Sequence, residues 1–168
     1  FNIAKKVHVK EEFNETLRYC RRQIDLRGIA LHVNPRATAE MLLQEAFDEV
    51  VIATGVVPRT PPIDGIGHPK ALGYLDVLRD DKAVGRNVAI VGAGGIGFDV
   101  AEYLVHRDGA ERVDADRFFS EWGVDRSYAN AGGLGQARPE PAARHVHLLQ
   151  RKASKVGDGL GKTTGWIH

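Results

Sequence analysis

The sequence predicts an α/β fold, and three observations carry that expectation. Asn87 to Val91 is a β-favouring apolar run that ends abruptly in Gly92-Ala93-Gly94-Gly95-Ile96-Gly97. Ile96, Val100 and Leu104 then recur at four-residue steps, as on the inner face of a helix. His145 to Gln150 restores a strand pattern after a long aperiodic stretch.

The remaining elements follow along the chain. Glu11 to Arg27 reads as a helix, because Phe13, Leu17, Cys20 and Ile24 form a stripe that Arg18, Arg21 and Arg22 avoid, and Gly28 can close it. Ile29 to Val33 is a short strand candidate. Thr38 is placed to cap a brief helix ending near Ala46. Glu49-Val50-Val51-Ile52-Ala53 is a continuous apolar run, as expected of a strand covered on both faces, and it stops at Thr54-Gly55. Pro58, Pro61, Pro62 and Gly65 make Val56 to Lys70 a connection, followed by a short helix over Tyr74 to Arg79. Asn87 to Val91 is the next buried strand. From Asp108 to Arg144 periodicity fails, and Gly132-Gly133-Leu134-Gly135 and "RPEP" mark a surface excursion with a short helix around Phe118, Phe119 and Trp122.

Bulk properties exclude several function classes. The chain has 168 residues, enough for one ordinary domain or two small ones. A hydrophobic fraction of 43% supports a packed core, and a net charge of +1 exerts no general pull on nucleic acid or anionic lipid. No apolar run approaches the roughly 20 residues that span a bilayer. The single Cys20 excludes an internal disulfide, fits a cytosolic, cytoplasmic setting and reads as a core residue on its helix. No C-x-x-C occurs, so no dithiol redox centre is expected. Phe1-Asn2-Ile3-Ala4 opens without Met and the chain stops soon after a glycine turn, which reads as a segment of something longer.

Gly92 to Gly97 fits G-x-G-x-x-G. In that pattern the first glycine allows the tight turn, the second admits a pyrophosphate to the backbone, and the third permits close helix–strand packing. The helix N-terminus adds N–H donors and a positive dipole end. Alone the hexapeptide is a weak signal. Between a strand and an amphipathic helix it predicts a Rossmann-like dinucleotide-binding unit rather than a structural turn. Which dinucleotide depends on the next strand end, where NAD sites offer an acid and NADP sites an Arg. Here Gln150-Arg151-Lys152 supplies two cations and no acid, which favours NADPH through bidentate Arg recognition of the 2′-phosphate. The same run also reads as a solvated basic strand end.

Two further patterns are set aside. "GDGLGKTT" lacks the first P-loop glycine, since Val156 stands there. His145 and His147 alternate on a strand without a Cys or carboxylate at ligand spacing, so no metal site is expected.

The strings "ATGVVPRTPPIDGI", "VAIVGAGGIGFD" and "LLQRKASKVGDGLGKTTGWIH" closely resemble, in that order, the bacterial NADPH-dependent 2,4-dienoyl-CoA reductases of fatty-acid β-oxidation. "FNIAKK", "EEFNETLRY" and "SEWGVD" extend the similarity over nearly the whole chain. "LLQRKASK" and "GLGKTTGW" are its most specific parts, whereas Ala53-Thr54-Gly55-x-x-Pro58 is shared with two-dinucleotide-domain reductases generally. The resemblance implies a partial FAD domain with its junction over residues 1–84, then a partial inserted NADPH domain over 85–168. It implies that Lys10, the backbone near Ala37, and Ala53, Thr54 and Gly55 touch FAD. By the same resemblance Gly92, Gly94, Gly95, Gly97, Arg151 and Lys152 hold NADPH, and no catalytic residue lies in this chain. FMN, a 4Fe-4S cluster and an N-terminal barrel belong to the implied remainder of the protein, so the segment alone is expected to be inactive. Nucleotides and that barrel are the expected partners; nucleic acid and membrane are not. Two alternatives stand beside this: the same module serving another ene-reductase or amine dehydrogenase, and a non-catalytic NADP(H)-binding module.

Overall fold

The computed structural model describes residues 2–8, 10–106 and 114–161; the first part of the excursion and most of "GLGKTTGW" lie outside the described residues. Two units are present, residues 1–18 with 72–168, and residues 19–71. The elements in chain order are α1 (Phe13–Leu26), α2 (Ala39–Gln44), α3 (Tyr74–Leu78), β1 (Asn87–Val91), α4 (Gly95–Val105), α5 (Ala115–Trp122) and β2 (His145–Leu149). Short 3-10 turns occupy Ala4–Lys6 and Ala131–Gly133.

β1 and β2 pair in parallel, with Asn87 opposite His145 and Val91 opposite Leu149. Both strands alternate between exposed and half-buried residues, so one face alone is covered. Val88, Ile90 and Val146 point into the core on that face, which α3 and α4 close with Val77, Leu78, Val100 and Leu104. The sequence reads β1 as buried. Its second face, carrying Ala89 and Val91, is open instead. Ile96, expected on the inner face of α4, is exposed too, because it lies in the first turn, where the helix begins at the strand end.

The helix limits have local causes. Gly73 N–H donates to the Asp76 carboxylate at 2.7 Å, which holds the first turn of α3. Asp114 accepts from Arg117 N–H at 2.7 Å to cap α5, and Gly123, at φ 65°, ends it. The described part of the excursion is held by specific contacts: Val124 bridges Leu134 antiparallel, and Arg117 pairs with Glu121 and Glu140.

At α1, Ile29 N–H bonds Ile24 C=O while Gly28 N–H bonds Asp25 C=O, with Gly28 at φ 61°. That is the paired closure of a Schellman end. Cys20 is exposed, against the expected core position; Phe13, Leu17 and Ile24 are half-buried. Thr38 Oγ accepts from Met41 N–H and starts α2 as expected.

Two predicted strands are absent from the 19–71 unit. Ile29 to Val33 and Glu49 to Ala53 form no ladder, and Val51 and Ile52 are 87% and 82% exposed. An apolar run marks what a sheet could bury. A strand also needs a neighbour to take its N–H and C=O groups, and no described segment of that unit supplies one. In the 168-residue chain, Leu104→Ala is expected to cost about 2–5 kcal/mol. Val51→Ala should change stability by less than about 0.5 kcal/mol. Equal losses in urea denaturation would show that residues 49–53 are packed.

Near the C-terminal end of α4 the His8 and His106 rings stack with centroids 3.9 Å apart, and His106 meets Glu102 at 2.8 Å. Burial first, and then the neighbouring His106, lowers the His8 pKa against the opposing pull of Glu102, Glu11 and Glu121. The folded state thus binds fewer protons at His8 than the unfolded chain does. Its contribution is complete above the ordinary histidine value of about 6.5 and is lost as pH falls through the lower folded value. His8→Gln should flatten the decline in thermal stability as pH falls below about 6.5. An unchanged decline would assign it to other groups.

Candidate functional site

The end of the two-stranded ladder and the start of α4 meet at the glycine turn. Gly92 N–H donates to Leu149 C=O at 2.9 Å, one step beyond β1. Gly92 has φ 128°, which side-chain-bearing residues rarely adopt. A Cβ on Gly97 would stand 1.9 Å from the Gly92 carbonyl oxygen, so the third glycine of the motif seats the helix against the strand end. Gly94 is the N-cap and has nothing within 4 Å of its own missing Cβ. Phe98 N–H reaches Gly94 C=O at 3.1 Å, which leaves the N–H groups of Gly95, Ile96 and Gly97 without intrahelical acceptors. No acid lies in the first turn. Open space, free donors and the dipole end together suit a diphosphate.

The segment after β2 is shaped by one side chain. Gln150 Nε2 donates to Lys152 C=O at 3.0 Å and to Ser154 C=O at 2.5 Å. Arg151 and Lys152 are exposed, and neither forms an ion pair among the described residues. Gly157, at φ 88°, rests on α4: its missing Cβ would stand 3.0 Å from Phe98 Cζ. Lys152 Nζ lies 3.9 Å from the corresponding point on Gly159. Parallel pairing thus brings Gly92, Gly94, Gly95 and Gly97 to the same sheet end as Arg151 and Lys152.

The other expected contacts lie elsewhere. Lys10 Nζ is held by the Asp99 carboxylate of α4, with about a quarter or less of either side chain exposed. Ala37, Ala53, Thr54 and Gly55 belong to the 19–71 unit, all exposed, with Gly55 at φ 77°. Sequence reading singled out neither Asp99 nor Gln150. Asp99 carried a signal, being one of two charges on an otherwise apolar helix. Gln150 carried none, because its role is a pair of bonds to backbone.

A family profile described as pyridine nucleotide-disulphide oxidoreductase matches residues 7–152. The chain belongs to this family. It is therefore a flavin- and NAD(P)-binding module of the oxidoreductase class. Curated relatives include a metal reductase of Desulforamulus reducens, 40% identical over 83% of this chain and 20% of its own. A bilirubin reductase of Mediterraneibacter gnavus is 33% identical over 61% of this chain and 16% of its own. A cinnamate reductase of Clostridium sporogenes is 38% identical over 46% and 11%. The chain spans about a fifth or less of these relatives. Among solved structures, a 2-naphthoyl-CoA reductase shares the fold over 97% of this chain and 29% of its own, with a TM-score of 0.56 and 24% identity. Among the described residues no helix is long and apolar enough to cross a membrane.

For this pyridine nucleotide-disulphide oxidoreductase module, two glycine variants should separate seating from binding. Gly97→Ala forces a backbone clash and should cost about 1–3 kcal/mol in urea denaturation. Gly94→Ala has room and an ordinary φ, so stability should hold while its methyl weakens NAD(P) in a binding titration. Comparable destabilisation by both would contradict this division.

Proposed function

We propose that this chain is the electron-entry region of an NADPH-dependent flavoenzyme of the 2,4-dienoyl-CoA reductase type, with FAD contacts in residues 1–84 and NADPH contacts in 85–168. The observation carrying the cofactor reading is the strand end: Gln150-Arg151-Lys152 beside the glycine turn, with two exposed cations and no acid. "LLQRKASK" and "GLGKTTGW" support the dienoyl-CoA assignment. So does the relative named for cinnamate, a conjugated unsaturated acid.

When bound, the groups supply hydride transfer from NADPH to FAD, with electrons continuing through a 4Fe-4S cluster to FMN in the rest of the proposed protein. This chain's residues bind and orient. Gly94 to Gly97 offer backbone N–H groups to the pyrophosphate, and Arg151, with Lys152, grips the 2′-phosphate. Gly55 would let the flavin nucleotide approach backbone, and Ala53, Thr54, Ala37 and Lys10 are the further FAD contacts that the resemblance implies. No residue here performs acid–base chemistry on the acyl substrate, and the chain alone is inactive. The metal reductase relative, similar over most of this chain, favours a second reading in which the same module feeds a different terminal acceptor.

Cofactor preference tests the reading. A charge-assisted bond contributes about 1.5–3 kcal/mol, roughly 10- to 150-fold in binding. In the full-length protein, Arg151→Ala should raise the KM for NADPH at least about tenfold and barely move that for NADH. Equal loss for both cofactors would make the basic strand end a solvated surface.

A further inference from the structure

We propose that Gln150 is a positioning residue for NADP recognition, acting by folding the segment after β2 into the loop that presents Arg151 and Lys152. The inference rests on the NADPH reading above. It adds a residue that touches no cofactor in that reading.

The geometry is specific to an amide. Both acceptors of Gln150 Nε2 are backbone carbonyls, Lys152 C=O and Ser154 C=O, so the group facing them must donate twice. A primary amide has two N–H donors, whereas an ionised carboxylate has none and would set its negative charge against both carbonyls. The two bonds tie the strand end to residues two and four positions on, bending the chain over Arg151 to Ser154. Beyond the bend, Gly157 lies against Phe98 of α4, and turn bonds from Asp158 N–H to Lys155 C=O and from Leu160 N–H to Gly157 C=O hold the loop there. The loop is thus fixed at two points, by Gln150 at its start and by Phe98 at its far end. Lys152, exposed, has its Nζ 3.9 Å from the place a Cβ on Gly159 would take.

This construction also gives a reason for the missing acid. NAD sites place Asp or Glu at the strand end to accept from ribose hydroxyls. A Glu at position 150 would supply that acceptor and release the loop in the same change. Amide or acid at this position therefore selects between a cation-bearing loop and a ribose acceptor.

Binding of 2′,5′-ADP and of 5′-AMP to the flavin-loaded full-length protein, measured by calorimetry, tests the proposal. Gln150→Met keeps the length of the side chain and removes both bonds. It should weaken 2′,5′-ADP about tenfold, or ~1.4 kcal/mol, while 5′-AMP changes by less than about twofold on the same scale. Gln150→Glu should weaken 2′,5′-ADP at least as much. In an Arg151→Ala/Lys152→Ala background, Gln150→Met should have no further effect, because contributions made through shared partners are not additive. If Gln150→Met and Gln150→Glu weaken both ligands equally, or if the loss persists in that background, Gln150 is only structural and the proposal falls. If the double alanine variant still discriminates the two ligands as well as the unaltered protein does, the NADPH reading falls and takes the proposal with it.

Discussion

The carbonyl oxygen of Gly92 occupies the place where any side chain at position 97 would begin, and the rest of the described α/β unit is arranged around that contact. Because position 97 is glycine, α4 can start almost at the strand end. That short offset sets Val100 and Leu104 over Val88 and Ile90 one and two turns later. The same offset leaves the first N–H groups of α4 facing the end of the ladder rather than solvent at a distance. Core packing and the placing of those N–H groups are two results of one backbone approach. Substitution at the neighbouring Gly94 meets open space, so the motif's glycines are equivalent in sequence but not in physics.

Electrostatics around the turn follow the same economy. Asp99 lies in the second turn of α4, where an isolated carboxylate would oppose an incoming anion. Its carboxylate is engaged by Lys10, so this ion pair carries no net charge. Arg151 and Lys152, at the neighbouring strand end, remain exposed. Several other cations are paired, as Lys6 with Asp81, Lys82 with Asp76 and Arg117 with Glu121. Exposed pairs of that kind contribute little to stability. Leaving Arg151 unpaired therefore gives up little in folding, and it keeps a guanidinium available.

What the sequence revealed divides along a physical line. β1, α4, α3 and β2 were legible because each is specified by residues close in sequence: alternation, a helical stripe, a glycine turn. Thr38 and Gly28 were legible as helix ends for the same reason. Glu49 to Ala53 failed because strand formation depends on a partner elsewhere in space, and apolar character says nothing about whether one is supplied. Cys20 failed because a helical stripe marks a face that could be covered and says nothing of whether another segment covers it at that turn. Within the site, the glycines and the cations were visible as residue types, whereas the Gln150 bonds join a side chain to backbone carbonyls and leave no compositional trace.

That division bears on why such a module recurs beside different chemistries. A unit that binds NAD(P) and flavin must satisfy a diphosphate, an adenosine ribose and the packing of a helix on a strand. Those demands are local and are met by the glycine turn and the strand end. None of them refers to the terminal acceptor. Relatives named for metal, bilirubin and cinnamate reduction are accordingly 33–40% identical to this chain over the aligned segments. The two strand ends answer different constraints. On the proposed reading Gly92 to Gly97 fit a pyrophosphate common to every pyridine nucleotide, so substitutions there would act on both cofactors. On the same reading Gln150 to Ser154 face the one group that separates NADP from NAD, and a loop started by the Gln150 amide can change that preference without disturbing the helix seat.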